Sequence, residues 1–187
     1  LAYLSAKEGY KTLVWDLDPQ GSSSFYLGAK ANVKNESKKV LNSEMELADA
    51  IQNTAYENLD VIPADMSARH ADILLSEMKQ SRRKLLSLLA PLKNEYDIVI
   101  LDSPPGISVL HDAIFVAADW VLMPNIPTTL SIRSYETVDL YFKENDLDRS
   151  KIKCFFSMVD HRKNLHHKHR YQANNFYIFQ LFVFLFL

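Results

Sequence analysis

Three apolar runs in this chain close on residues able to do chemistry. The first reads Val14-Trp15-Asp16-Leu17-Asp18-Pro19-Gln20-Gly21, followed by three serines. It stops at two aspartates one residue apart. The second, Ile98-Val99-Ile100-Leu101, closes on Asp102 and runs on as Ser103-Pro104-Pro105-Gly106. The third is Val121-Leu122-Met123-Pro124-Asn125. A carboxylate at the end of a buried strand gives up hydration, which is costly unless it is bonded or holds a ligand. Magnesium suits such positions, because it keeps several waters and needs only one or two carboxylates. Taken singly, Asp102 reads equally as a helix N-cap or turn residue, and Asp16 and Asp18 as loop caps. Together, in this order, they favour chemistry.

The elements that must position these residues follow from periodicity. Strands are expected at "KTLVWD", "NLDVIPA", "YDIVILD", "WVLMPN" and "KIKCFFSMV". Helical patterns separate them: "LAYLSAKEG" closed by Gly9, "MELADAIQN", a long stretch over residues 67–92, "ISVLHDAIFVAA", and "SIRSYETVDLYFKEN". In the last, Ile132, Tyr135, Val138 and Phe142 recur at spacings of three and four. Residues 31–43 are polar and read as a surface loop. Alternating strands and helices predict an α/β fold with a mostly parallel, twisted sheet between helices in three layers. Ligands of such sheets bind outside the carboxyl ends of the strands, where all three runs close.

Composition sets the outer bounds. Hydrophobic residues make up 48% and charged residues 24% of 187, enough apolar material for one sizeable core. A net charge of −2 gives no global pull toward nucleic acid or membrane. The single cysteine, Cys154, excludes an internal disulfide and fits a reducing compartment.

The stretches "GYKTLVWDLDPQGSSSFYLG", "YDIVILDSPPGIS", "VLMPNIPTTLSIRS" and "FSMVDHRKNLH" together resemble the ParA/Soj/MinD family of deviant-Walker P-loop ATPases, most closely its ParA branch. The resemblance covers residues 1–168, which are expected to form a nucleotide-binding domain. It implies ATP and magnesium as cofactors and slow hydrolysis. It also implies a homodimer closed over sandwiched ATP, a ParB-like partner protein and nonspecific DNA binding, with no membrane. The setting implied is the bacterial cytoplasm, at the nucleoid. By the same resemblance Asp18 matches the aspartate that positions the attacking water. Asp16 matches the one supporting the magnesium shell, and Asp102 the Walker B aspartate. Ser157 and Met158 match positions lining the adenine, with Pro124 close by. Relatives often carry Asn or Thr where this chain has Ser157.

Two departures stand out. The glycines are Gly9, Gly21, Gly28 and Gly106, and none lies in the G-x-x-x-x-G-K-[ST] loop of the family. The resemblance therefore implies an N-terminally truncated domain without its first strand, phosphate loop and lysines. Such a domain is expected to be inactive as it stands, with sheet edges left unpaired. At the other end, Arg162, Lys163, Lys168 and Arg170 form a basic stretch where relatives touch DNA; a solvated surface is the alternative. His166, His167 and His169 lie within it, with no cysteine or acidic partner close in sequence to complete a metal site. Residues 169–187 end in "FYIFQLFVFLFL", an uncharged tail unlike the family and too short to span a bilayer.

Two functions stay open at this point. One is an ATPase that partitions or positions plasmid, chromosome or other cargo. The other is a non-catalytic ParA-like binding module. A nitrogenase-type reductase would need cysteines for an iron–sulfur cluster, and Cys154 sits inside an expected strand.

Overall fold

The computed structural model describes residues 1–158 in full and the backbone of Phe176–Tyr177 and Val183–Phe186. The chain divides into two compact units, Leu1–Asp119 with Phe184–Leu187, and Trp120–Val183.

In the first unit, α1 (Ala2–Lys7) ends two residues before Gly9, whose φ of +95° turns the chain into β1 (Thr12–Asp16). All five residues of β1 are buried, as expected of a strand with a neighbour on each side. Its neighbours are β3 (Leu59–Ile62) and β4 (Ile98–Asp102), both parallel to it. β2 (Gln52–Asn53) adds to β3 antiparallel. The order in this unit is β2-β3-β1-β4, with β8 (Val183–Phe186) on the far side of β4. Trp15, Leu13, Leu59 and Leu101 are almost fully buried along these strands.

The remaining core of this unit comes from helices. In α6 (Val109–Ala117), Leu110, His111, Ala113, Ile114, Phe115 and Ala117 are all buried. Leu75 of α4 (Ala71–Ser76) and Leu85 of α5 (Lys84–Leu89) are completely inaccessible. Removing a leucine side chain from water contributes about 2 kcal/mol.

In the second unit β5 (Trp120–Asn125) pairs parallel with β6 (Ile152–Phe156), and β6 with β7 (Phe176–Tyr177). α7 (Thr129–Glu144) joins β5 to β6 and is capped by Thr128, whose Oγ1 accepts from the Ser131 amide at 3.3 Å. Phe142 is its buried anchor, while Ile132, Tyr135 and Val138 are half-buried. Cys154 in β6 is 2% exposed, and burial pushes its thiol up to about 12.

The expected α/β class with a mostly parallel sheet and accompanying helices is what the chain adopts. Three expectations need correction. Residues 67–92 are not one helix; a 3-10 turn over Met66–His70, α4, a turn, a 3-10 turn over Ser81–Arg83, α5 and a 3-10 turn over Ala90–Asn94 replace it. Pro91 lacks the N–H that an α-helix needs there. Residues 31–43 contain α3 (Glu36–Leu41) with Val40 and Leu41 buried, so they are not simply a surface loop. "MELADAIQN" forms a short 3-10 turn, Leu47–Ala50, and then β2. β4 also pairs antiparallel with β8, with Val99, Ile100 and Leu101 in register with Phe186, Leu185 and Phe184.

Candidate phosphoryl-transfer site

β1 and β4 run parallel and in register, so Asp16 lies directly beside Asp102 at their carboxyl ends. The Leu17 amide donates to the Asp102 carbonyl at 2.8 Å and extends the ladder one step past Asp16. Two carboxylates thus leave the sheet from adjacent strands.

Asp16 is 1% exposed and is held on all sides by its own chain. Its Oδ1 accepts from the Asp18 amide at 3.1 Å. Its Oδ2 accepts from the Ser24 amide at 2.8 Å and the Ser24 hydroxyl at 2.7 Å. The Ser24 hydroxyl in turn accepts from the Ala64 amide at 2.9 Å, which ties the loop after β3 to the same carboxylate. Burial raises the pKa of Asp16, the bonds from Ser24 and from the Asp18 amide oppose the rise, and the Asp18 charge adds to it.

Asp18 stands beyond the strand, half-exposed. Its Oδ1 accepts from the Gln20 amide at 2.9 Å, and its carbonyl accepts from the Gly21 amide at 2.8 Å. Pro19 and Gly21 fill the second and fourth places of this β-turn, as turn chemistry favours. Gly21 itself has φ +62°, an orientation that costs any residue with a Cβ. The turn feeds α2 (Ser22–Tyr26), which carries Ser23 to Asp102. There the Ser23 hydroxyl donates to Asp102 Oδ2. Burial raises Asp102 too; Ser23 opposes, and the charges of Asp16 and Asp18 add to the rise.

Asp16 and Asp102 are each pushed up in part by neighbouring carboxylate charge, and a cation held there would relieve that repulsion. Among the described residues no three acidic, histidine or cysteine side chains converge to hold a metal by themselves. The donor set instead fits an ion that keeps most of its waters, which is the habit of magnesium. Asp102 can face such an ion. Asp16 has both oxygens committed to the chain and can reach one only through water.

The turn after β4 is braced by His111, a residue the sequence reading passed over. His111 is 4% exposed. Its Nε2 lies 3.0 Å from the Pro104 carbonyl and its Nδ1 3.0 Å from the Ser108 hydroxyl. A carbonyl can only accept, so Nε2 carries the proton and Ser108 donates to Nδ1. Burial lowers the pKa of His111 and keeps this neutral form. Ser23 and Ser24 were missed as well, for nothing in three consecutive serines says which two reach carboxylates.

In the second unit, Ser157 follows β6 and donates its amide to the Asn125 carbonyl at 2.8 Å. Ser157 is buried, and Met158 is 62% exposed with φ +50°. Pro124, in register with Phe155, is half-buried one residue before the end of β5. These three residues therefore gather at the carboxyl ends of one strand pair. Arg162, Lys163, Lys168 and Arg170 lie outside the described residues.

Comparison with known proteins places these features. A family model described as an AAA domain matches residues 1–149. The virulence plasmid ParA family protein pGP5-D of Chlamydia psittaci is 30% identical over 166 residues, 88% of this chain and 62% of its own length. The sporulation initiation inhibitor protein Soj of Bacillus subtilis is 32% identical over 170 residues, 88% of this chain and 66% of its own length. The chain thus spans a little under two thirds of these relatives. Among solved structures, a putative plasmid partition protein of Borrelia burgdorferi bound to AMPPNP gives a TM-score of 0.81 at 18% identity, covering 94% of this chain and 75% of that one. Cobyrinic acid a,c-diamide synthase of Mycobacterium smegmatis, with an ATP analog and magnesium bound, gives 0.76 at 23%, covering 96% and 74%.

Proposed function

The chain belongs to the ParA/Soj family of P-loop ATPases, and from that premise we propose that it is part of an ATP- and magnesium-dependent ATPase that partitions or positions plasmid, chromosome or other cargo. The observation that carries this reading is the register of Asp16 with Asp102, with Asp18 set beyond them in a tight turn.

Magnesium-bound ATP supplies the phosphoryl group and much of the charge neutralisation. Asp102, its carboxylate steadied by the Ser23 hydroxyl, would hold the hydrated magnesium ion. Asp16 acts one layer back. It fixes the Asp18 amide and the start of α2, and its charge would help to hold the same ion. Asp18 is the residue with room to orient a water, since the turn holds it past the strand end and half-exposed. Ser157, Met158 and Pro124 form the surface offered to the base. Dimerisation over nucleotide, a ParB-like partner, contact of Arg162, Lys163, Lys168 and Arg170 with DNA, and a place at the nucleoid complete the proposal. No helix among the described residues is long and apolar enough to cross a membrane.

The test is hydrolysis by a version of the chain carrying a lysine-bearing glycine loop ahead of Leu1. Asp18→Ala should keep ATP binding and lose turnover by about 100-fold or more. Turnover within about twofold of the parent would take Asp18 out of the role, whereas no turnover by the parent itself would favour a binding module.

A further inference from the structure

The turn between α4 and α5 reads Glu77-Met78-Lys79-Gln80-Ser81-Arg82-Arg83-Lys84, four cations against one carboxylate in a chain of net charge −2. Arg82 is turned toward Asp112 at 3.6 Å, and Lys84 Nζ donates to the Ser43 hydroxyl at 2.6 Å. Lys79 and Arg83 are exposed, and neither forms an ion pair with a described carboxylate. Beside them an open groove of about 500 Å³ is lined by Met78, Arg83, Lys84, Leu86 and Ala90 among others.

Helical phase explains the lining. Arg83, Leu86 and Ala90 recur at steps of three and four, so they share one face, while Leu85 and Leu89 point into the core. Leu86 is left 43% exposed on a face that no part of the described chain covers well. The groove thus has an apolar floor and a cationic rim.

We propose that this groove docks an acidic amphipathic helix of a partner protein. The occupant would lay leucine-type side chains on Met78, Leu86 and Ala90 and set carboxylates against Arg83 and Lys79. An amphipathic helix docks in a hydrophobic groove through apolar anchors at steps of three, four and seven along its own sequence. Arg83 offers carboxylates a planar, two-pronged donor. Nucleic acid would use the same cations but gain nothing from the apolar floor, because its phosphates need only charge. The groove lies wholly in the first unit and uses none of the residues assigned to nucleotide, so it is independent of the ATPase reading.

The experiment measures fluorescence anisotropy of a labelled peptide, roughly eighteen residues long to favour helix formation, with leucine at helical spacing and glutamate elsewhere. It is titrated with the full 187-residue chain, without nucleotide. A lysine-for-glutamate version and a short DNA duplex serve as rivals. The glutamate peptide should bind and the lysine peptide should not. Arg83→Glu should weaken binding by about tenfold or more, and Leu86→Ser by about threefold. Hydrogen exchange on the unsubstituted chain should show new protection over residues 78–90, which keeps the test valid if either variant unfolds. Absence of binding, or protection elsewhere, overturns the proposal. So does duplex binding that Arg83→Glu weakens and Leu86→Ser leaves unchanged, which would make the patch a phosphate-binding surface.

Discussion

Asp16 and Asp102 occupy facing positions at the carboxyl ends of two adjacent parallel strands, and each is bonded by a different serine of the same short helix. Ser23 reaches Asp102 and Ser24 reaches Asp16, so α2 is pinned to both strand ends at once. The site is therefore a structural unit as well as a chemical one, and its substitutions should be read in both stability and activity.

Ser24→Ala should destabilise the chain by about 1–3 kcal/mol, the cost of leaving buried polar groups without partners. It removes a donor to Asp16 and the acceptor of the Ala64 amide together. Urea unfolding is the measurement. A loss below about 0.5 kcal/mol would mean that solvent replaces the hydroxyl, and that the two strand ends are less firmly tied than they look.

Asp102→Asn should stabilise the chain at neutral pH. Burial and the charges of Asp16 and Asp18 raise its folded pKa above the ordinary 3.8. The folded state then binds the extra proton, so this group destabilises the fold when ionised. Its penalty is fully present above the folded pKa and is relieved as pH falls through that value toward 3.8. Asparagine keeps an oxygen for Ser23 and carries no charge. A melting temperature higher by about 2–4 °C at pH 7, with the gap closing on acidification, is expected. Asp65 works in the opposite sense: although burial pushes it upward, Ser67 and Ser37 hold it low. The parent-minus-variant difference is therefore the quantity to follow. An unchanged or lower melting temperature at pH 7 would contradict the repulsion.

The same substitution should weaken magnesium-dependent ATP binding more than metal-free binding, in the version carrying a phosphate loop, because it removes charge from the metal-facing position. Titration with and without magnesium separates the two. Equal losses would make Asp102 a structural residue only.

Gly21→Ala should cost about 1 kcal/mol in unfolding free energy through backbone strain alone. The φ is +62°, and an added Cβ would meet nothing closer than 4.0 Å. A cost of several kcal/mol would instead show that the turn cannot hold Asp18 without glycine.

Replacing Arg162, Lys163, Lys168 and Arg170 with alanine should weaken DNA binding in the ATP state and flatten its dependence on salt, since each phosphate contact releases counterions. An unchanged slope would return the stretch to solvated surface.

What the sequence made legible was whatever local pattern decides. The strands β1, β4 and β5 are apolar runs with abrupt polar ends, so their existence, and the carboxylates that close β1 and β4, could be read directly. The helical region between β3 and β4 was misread because leucine periodicity continues through it while Pro91 and the polar turn at Met78–Gln80 break the backbone. α3 escaped notice because it buries Glu36 and Ser37, residues whose types signal exposure. Glu36 is held by the amides of Asn32 and Val33, a local bond that composition does not reveal. Ser24 and His111 owe their roles to partners brought close by the fold. Ser24 meets Ala64 forty positions away, and His111 meets Pro104 only once the turn after β4 has formed.

Cys154 gives the protein a built-in reporter. It is the one thiol in the chain, it is 2% exposed in β6, and burial pushes it up to about 12. At neutral pH almost none of it is thiolate, and reagents attack the thiolate. Its rate of alkylation therefore measures how often the second unit opens, without any engineered label. A cysteine introduced at an exposed position such as Leu86 would react against a silent background, so occupancy of the groove and opening of β6 could be timed in the same sample.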